Sequence, residues 1–239
     1  MNPISIPIKN SNCIVKIQYR PNTTDEKVIP EVLKRNVYER KAFDFFIEPN
    51  EVWLDLGANI GTFSLLCLAR KAKVIAFEPE PENFILLNKN LKENFSKDFK
   101  TIQEAVGTVQ GNLPLYVCKG DYNKYRHTLV PIRGRTTIHV PVQPILKVLT
   151  KYKPACIKMD IEGAEISILE SLTPKDFTRA KIKKLVFEYS FDVDRSIPRF
   201  LAIIENLKKY FTKVYYDKVK ENEEFYNYFP ACTNVFCLL

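Results

Sequence analysis

With 239 residues, 46% hydrophobic and 12% aromatic, the chain can bury a full core, and a single domain is its simplest organisation. The apolar run from Phe63 to Ala69 is far too short to span a bilayer. The start Met-Asn-Pro-Ile-Ser-Ile-Pro also lacks the basic flank and apolar centre of a secretory signal, so a soluble cytoplasmic protein is expected. A net charge of +8 admits nucleic acid as a partner without requiring it, because the distribution of charge matters more than its total.

Residues 1 to 50 read as an N-terminal extension that covers a ligand site. It carries a short strand from Cys13 to Tyr19, a polar turn from Pro21 to Asp25 and a helix from about Val37 to Ile47. From residue 51 to 239 strands and helices alternate. Strands are predicted near 52–56, 73–77, 101–104, 155–160, 184–189, 213–217 and 233–238, and helices near 60–70, 81–95, 144–152, 163–171 and 197–210. This is the pattern of an α/β fold with a doubly wound, Rossmann-like sheet. About seven strands are expected, mostly parallel, with an antiparallel last strand forming an edge hairpin with its predecessor. Between the third and fourth core strands, 113–142 reads as an inserted β-hairpin around a basic loop. From Lys119 to Arg135 five cations (Lys119, Lys124, Arg126, Arg133, Arg135) face one acid, Asp121. That segment is either a solvated loop or a surface that contacts an acceptor. The six cysteines (13, 67, 118, 156, 232, 237) contain no Cys-x-x-Cys pair, which favours reduced thiols over a metal knuckle.

The segment Val52-Trp-Leu-Asp-Leu-Gly-Ala-Asn-Ile-Gly-Thr-Phe63 reads as a strand, a small-residue turn and a helix. Gly57 allows positive φ and close approach to a ligand, and Gly61 sits where helix and strand must pack tightly. Glu78-Pro79 closes the next strand, with Glu78 at roughly the ~20-residue offset of a carboxylate that grips a ribose diol. The glycines do not follow the G-x-G-x-x-G of a dinucleotide site. Asp55 would repel a pyrophosphate but suits an ammonium, and Asn59 can take the left-handed turn while adding an amide. A ligand with an adenosine, an ammonium and a carboxylate is S-adenosylmethionine, with S-adenosylhomocysteine as product. The plainer alternative is that Asp55 and Asn59 only cap a helix. Gly57, Asn59, Gly61, Thr62 and Glu78 all lie at strand ends or on the adjoining helix. So do Glu104 and Ala105, which either read an adenine edge or form an ordinary strand exit. Doubly wound sheets bind ligands at such ends.

Asp55-Leu-Gly-Ala-Asn-Ile-Gly61, Phe77-Glu-Pro79 and Ile157-Lys-Met-Asp-Ile-Glu-Gly-Ala-Glu165 together resemble the FkbM family of S-adenosylmethionine-dependent O-methyltransferases, from about Tyr38 onward. The resemblance implies a Rossmann-like methyltransferase domain acting on hydroxyls of sugars or of natural products such as polyketides. The chain departs from the family pattern at Val142-Gln143-Pro144, where Leu-Asp is usual, and at Glu188-Tyr189-Ser190, where Glu-x-His is frequent. Roles of that Asp and His do not transfer.

Methyl transfer to a hydroxyl is an in-line displacement that needs alignment and one proton acceptor. Lys158 and Asp160, two apart on a strand, share a face. Glu165 falls in the first turn of the next helix, where the dipole favours its ionised form. Asp160 or Glu165 is the expected acceptor of the proton, with Lys158 orienting the hydroxyl and Glu188 supporting from the next strand. A structural Lys158–Glu188 ion pair is the competing account. Arg126, His127, Glu188 and Tyr189 are the expected contacts of a sugar or glycan acceptor, with Tyr38, Tyr122 and Tyr125 as further aromatics for stacking. His127 is a weak candidate base, whereas His139 alternates with apolar residues in a strand and reads as structural. A divalent ion on Asp160, Glu162 and Glu188 is left open but not favoured, for want of a compact acidic set. Nucleic acid as acceptor is the second choice, a non-catalytic cofactor-binding domain the third and a dehydrogenase the fourth.

Overall fold

In the computed structural model, residues 3–118, 127–191, 193–216 and 232–239 are described. The centre is a seven-stranded sheet in the order β11-β12-β10-β9-β3-β4-β5. Its strands are β3 (Val52–Leu56), β4 (Lys73–Phe77), β5 (Phe99–Ile102), β9 (Cys156–Met159), β10 (Lys184–Ser190), β11 (Lys213–Tyr216) and β12 (Cys232–Leu238). β3, β4, β5, β9 and β10 run parallel. β12 is antiparallel to both neighbours and lies between β10 and β11, so β11 forms the edge. β3 and β9 read as near-continuous apolar runs because both faces of their strands are covered.

Alternation along the strands sends Trp53, Cys156 and Val186 into one core and Leu54, Leu56, Ile157, Met159, Leu185 and Phe187 into the other. The first core is closed by α2 (Thr62–Ala69), α3 (Pro81–Asn94) and the N-terminal residues. The second is closed by α4 (Ile145–Tyr152), α5 (Ala164–Ser171), α6 (Pro174–Ala180) and α7 (Ile197–Lys208). α2 is buried on every side from Thr62 to Leu68, because the N-terminal residues cover the face that a surface helix would leave wet. The sequence reading passed over α6, although a capping box of Thr173 and Asp176 starts it.

The N-terminal residues depart from expectation. The strand near Cys13 is present as β2 (Ile14–Ile17), paired antiparallel with an unforeseen β1 (Ile4–Pro7). The helix lies earlier than predicted, as α1 (Asp25–Pro30) continuing into a π-helical turn at Glu31–Arg35. Pro30 sits inside this run, and a residue without an N–H is what a sequence reading takes as a breaker. The predicted helix over 37–47 is instead a short turn, Lys41–Phe43, flanked by an Arg40–Phe45 bridge. Asn36 and Asp44 take φ of 60° and 56°, and these left-handed residues stop helical propagation on either side.

A second, three-stranded sheet joins β6 (Ala105–Gly107), β8 (Thr136–Pro144) and β7 (Gly111–Val117). β7 and β8 are the predicted hairpin; β6, which was not predicted, pairs parallel with β8. Most of the basic loop, including Lys119, Tyr122, Lys124, Tyr125 and Arg126, lies outside the described residues, as does the connection from β11 to β12. Cys67, Cys156 and Cys237 are buried and no cysteine is paired. Among the described residues no helix is long and apolar enough to cross a membrane.

Asn90 of α3 ties these layers together. Its Nδ2 donates to the carbonyls of Gln18 (3.0 Å) and Ile60 (2.8 Å), and its Oδ1 accepts from the Gln18 N–H at 2.7 Å. It is fully buried. Asn90→Ala leaves these backbone groups without partners and is expected to lower stability by about 1–3 kcal/mol. The measurement is the urea midpoint; a shift below about 0.5 kcal/mol would show that the link carries no stability.

Candidate active site

The strand ends of β3, β4 and β9 meet around a cleft. Gly57 takes φ 75°, and a Cβ there would lie 2.0 Å from the carbonyl oxygen of Asp160. The two strand-end loops therefore touch, and only hydrogen fits between them. The N–H groups of Gly57 and Ala58 both donate to the Phe77 carbonyl at 3.0 Å, locking the turn to β4. Asn59 adopts the left-handed conformation expected of it, φ 51°. Its N–H donates to Glu78 Oε2 at 2.8 Å, and its buried Oδ1 has no partner. Gly57, Asn59, Thr62, Glu78, Pro79, Glu104, Ala105, His127, Lys158 and Asp160 all line the cleft. Glu78 also accepts from the Glu80 N–H at 2.9 Å; burial outweighs both amide bonds and pushes its carboxyl up to about 7. Gln143 donates to Glu104, and the Cys118 N–H donates to His127 Nδ1 at 3.2 Å.

Beneath the cleft is a buried polar group. Lys158, 3% exposed, donates from Nζ to the Gly57 carbonyl at 2.9 Å and the Leu56 carbonyl at 3.4 Å. It lies 3.4 Å from Asp55 Oδ1 and 3.6 Å from Asp160 Oδ2. Burial works against its charge, but Asp160 and Asp55 outweigh it and hold the ammonium above its ordinary range. Burial moves the Asp55 carboxyl in the other direction, upward, opposed by Lys158 and by the Ser64 hydroxyl, which donates to Asp55 Oδ2 at 2.7 Å. Lys158 is thus an internal tie between strand ends. The competing account, a Lys158–Glu188 ion pair, gives way to different partners: the ammonium pairs with Asp55 and Asp160.

Several predicted residues stand behind the cleft. Asp55 is 0% exposed and spent on Lys158 and Ser64. Gly61, φ 95°, packs α2 against α3 rather than against a strand, since a Cβ would lie 2.9 Å from Leu87 Cδ1. Glu165 is fully buried, and its carboxylate accepts from the N–H groups of Gly163 (2.8 Å) and Ser190 (3.3 Å). Glu188 and Tyr189 are neighbours on β10, so they face opposite sides of the sheet. Glu188, half-buried, shares the Lys158 face, close enough to act electrostatically on Tyr38. Tyr189 packs against Phe191 and Phe200 in the second core.

The cleft also has walls that sequence reasoning did not place there. Val28 and Val32 come from the N-terminal helix and Asn83 from α3. Tyr38, considered earlier only as a stacking surface, donates from its hydroxyl to Asp160 Oδ2 at 3.0 Å. Nothing local signals that contact, which spans 122 positions.

Residues 55–214 match the model of the methyltransferase FkbM domain, two thirds of the chain. The chain belongs to the FkbM methyltransferase family. It is 24% identical over 219 residues to methyltransferase sdnD of Sordaria araneosa, covering 71% of this chain and 85% of that protein. It is 30% identical over 138 residues to the hexuronic acid methyltransferase AglP of Haloferax volcanii, 53% of this chain and 52% of that one, so the match spans about half of AglP. Among solved structures the fold resembles a fibrillarin–NOP5P complex, with a TM-score of 0.53 and 13% identity over 98% of this chain and 96% of that one.

This FkbM-family enzyme is a methyltransferase, and S-adenosylmethionine is its methyl donor. The cleft suits a donor with a cationic sulfonium and a ribose: it is lined by Glu78, Glu104, Asp160 and Glu162, offers the unpartnered Asn59 Oδ1, and meets bare backbone at Gly57. Among the described residues no group of three or more His, Cys, Asp or Glu side chains is placed to hold a metal.

Two outcomes are expected here. Gly57→Ala forces a methyl group into the Asp160 backbone and should weaken S-adenosylhomocysteine binding at least ~10-fold in calorimetry; wild-type affinity would mean that the loops part without consequence. Burial, opposed by the amide donors, raises the Glu165 carboxyl from 4.5 to about 8. The folded state then binds this proton more tightly than the unfolded state, so stability is fullest below pH 4.5 and falls as pH rises to about 8. Urea midpoints measured across that window should decline less steeply in Glu165→Gln than in wild type, and equal slopes would rule the linkage out.

Proposed function

We propose that the enzyme is an O-methyltransferase that modifies a hydroxyl of a sugar or glycan, with Asp160 as proton acceptor. The observation that carries this reading is the state of Asp160. Its side chain is 29% exposed on the cleft wall. Oδ2 is engaged by Tyr38 and neighbours Lys158, while Oδ1 accepts from no described residue. An oriented carboxylate with an open oxygen is what a hydroxyl requires as it loses its proton. Glu165, spent on two backbone amides, supports the loop instead. Lys158 keeps the two strand ends in register rather than orienting the acceptor itself.

S-adenosylmethionine, when bound, supplies a methyl group already activated by its sulfonium. The chain's part is to hold that donor and the acceptor in line. In this assignment Glu78 takes the ribose hydroxyls, Gly57, Asn59, Thr62 and Pro79 border the donor, and Glu104 with Ala105 borders the adenine. Asp55 and Gly61 act from behind by fixing the turn and α2. His127, which lines the cleft, is assigned to the acceptor side. The 1–50 segment closes over the donor, and the domain proper runs over 51–239.

AglP, a hexuronic acid methyltransferase, supports a sugar acceptor. A hexuronic acid presents both hydroxyl and carboxylate oxygens, and only a hydroxyl needs a base. The test is a methyl-transfer screen over neutral glycans, uronic acids and RNA with labelled donor, reading the methylated atom by mass spectrometry. A methyl ether on a sugar is expected. A methyl ester would remove the need for Asp160, and methylated RNA with steeply salt-dependent binding would replace the sugar reading. Asp160→Asn is expected to lower kcat roughly 100-fold or more, with S-adenosylhomocysteine affinity nearly unchanged. Lys158→Ala leaves Asp55 buried without its counter-charge and should cost about 3–5 kcal/mol of stability. Unchanged turnover in both variants would sink the assignment.

A further inference from the structure

Tyr38 reaches the site from outside the matched family region, which begins at residue 55. Its ring is 7% exposed, edge-on to Phe63 with centroids 5.0 Å apart, and Lys158 Nζ lies 5.9 Å from its centroid. Burial, reinforced by Asp160 and Glu188, pushes the phenol well above its usual range, so the hydroxyl stays protonated and remains a donor to Asp160.

The next residue anchors this placement. Glu39 Oε1 accepts from the Ile47 N–H at 3.1 Å and from Arg70 Nε at 3.1 Å, and Oε2 accepts from Arg70 Nη2 at 2.9 Å. Asn36, in left-handed conformation, donates to Glu39 as well. Arg70 ends α2 and also donates to the Lys9 carbonyl at 2.7 Å. The ion pair is largely buried, with side chains 13% and 6% exposed. A bidentate guanidinium–carboxylate pair fixes direction as well as distance. It joins the end of the helix behind the donor loop to the residue preceding Arg40, and thereby fixes where Tyr38 points.

We propose that Tyr38 is a positioning residue for methyl transfer: it holds Asp160 Oδ2 so that Oδ1 faces the cleft, and the Glu39–Arg70 pair holds Tyr38. This rests on the reading of Asp160 as proton acceptor. Tyr38→Phe is the informative variant, because it keeps the ring contacts with Phe63 and Lys158 and removes only the hydroxyl. Two measurements test it. Without any acceptor, ring-labelled tyrosine NMR should show a slowly exchanging phenolic proton that vanishes in both Tyr38→Phe and Asp160→Ala. Its persistence in Asp160→Ala, which removes the accepting oxygen, would overturn the proposal, and so would its absence from wild type.

With labelled donor and the sugar acceptor found in the screen, Tyr38→Phe should lower kcat roughly 10- to 100-fold, as a misplaced reacting group does. The KM for the donor and the calorimetric Kd for S-adenosylhomocysteine should stay within about twofold, since the donor's own contacts are untouched. Glu39→Gln should lower kcat in the wild-type background and add little in the Tyr38→Phe background, the sign of action through Tyr38. Full additivity, or losses of kcat and donor affinity together, would reduce Tyr38 and Glu39 to packing. Wild-type kcat in Tyr38→Phe with an inactive Asp160→Asn removes Tyr38 alone; full activity in both removes the Asp160 reading as well.

Discussion

The buried ammonium of Lys158 is the constraint on which the rest of the site depends. A charge taken out of water is costly unless opposite charge and acceptors surround it. Lys158 finds them in Asp55, Asp160 and the carbonyls at Leu56 and Gly57. Those partners lie on β3 and on the turn after it, or just past the end of β9. Satisfying one cation therefore fixes the distance between the Gly57 turn and the Asp160 carboxylate. Gly57 belongs to the same arrangement, because the ammonium draws the two strand ends close enough that a Cβ cannot fit.

Around this tie the carboxylates divide by environment. Asp55 and Glu165 are fully enclosed, and burial raises both. Each is spent on protein partners, an ammonium and a hydroxyl for the first and two backbone amides for the second. Glu78 lines the cleft but is likewise buried and bound to two amides, whereas Asp160 has its side chain 29% exposed there. The same chemical group is thus a strut in one place and an open acceptor in another, according to whether its remaining lone pairs meet protein or open space.

The N-terminal residues belong to the site as much as the family region does. They bury the outer face of α2, supply Val28, Val32 and Tyr38 to the cleft, and are bound to the helices α3 and α2 through Asn90 and through Arg70. Lys184 adds a further tie, donating to the Phe46 carbonyl at 2.7 Å and pairing with Glu51 at 2.7 Å. The hydroxyl on Asp160 therefore has its position set by packing on three separate elements.

The amino-acid sequence alone was enough for the alternating sheet, the Gly57 turn with Asn59 left-handed, Glu78 at the end of β4, and Lys158 and Asp160 on one strand face. These follow from hydrophobic period, backbone conformational preference and short spacing, all local properties. Alternation on β10 was also legible in principle, and it separates Glu188 from Tyr189. What lay beyond the sequence were partners chosen across long separations: Asp55 rather than Glu188 for Lys158, backbone amides for Glu165, and Tyr38 for Asp160. The displaced N-terminal helix belongs with them, since Pro30 argues against it locally and packing on α2 supports it. Local rules say which way a side chain leaves the backbone. Only the packed structure decides which buried charges and hydrogen-bonding groups are close enough to satisfy one another, because that balance is struck between segments more than a hundred residues apart.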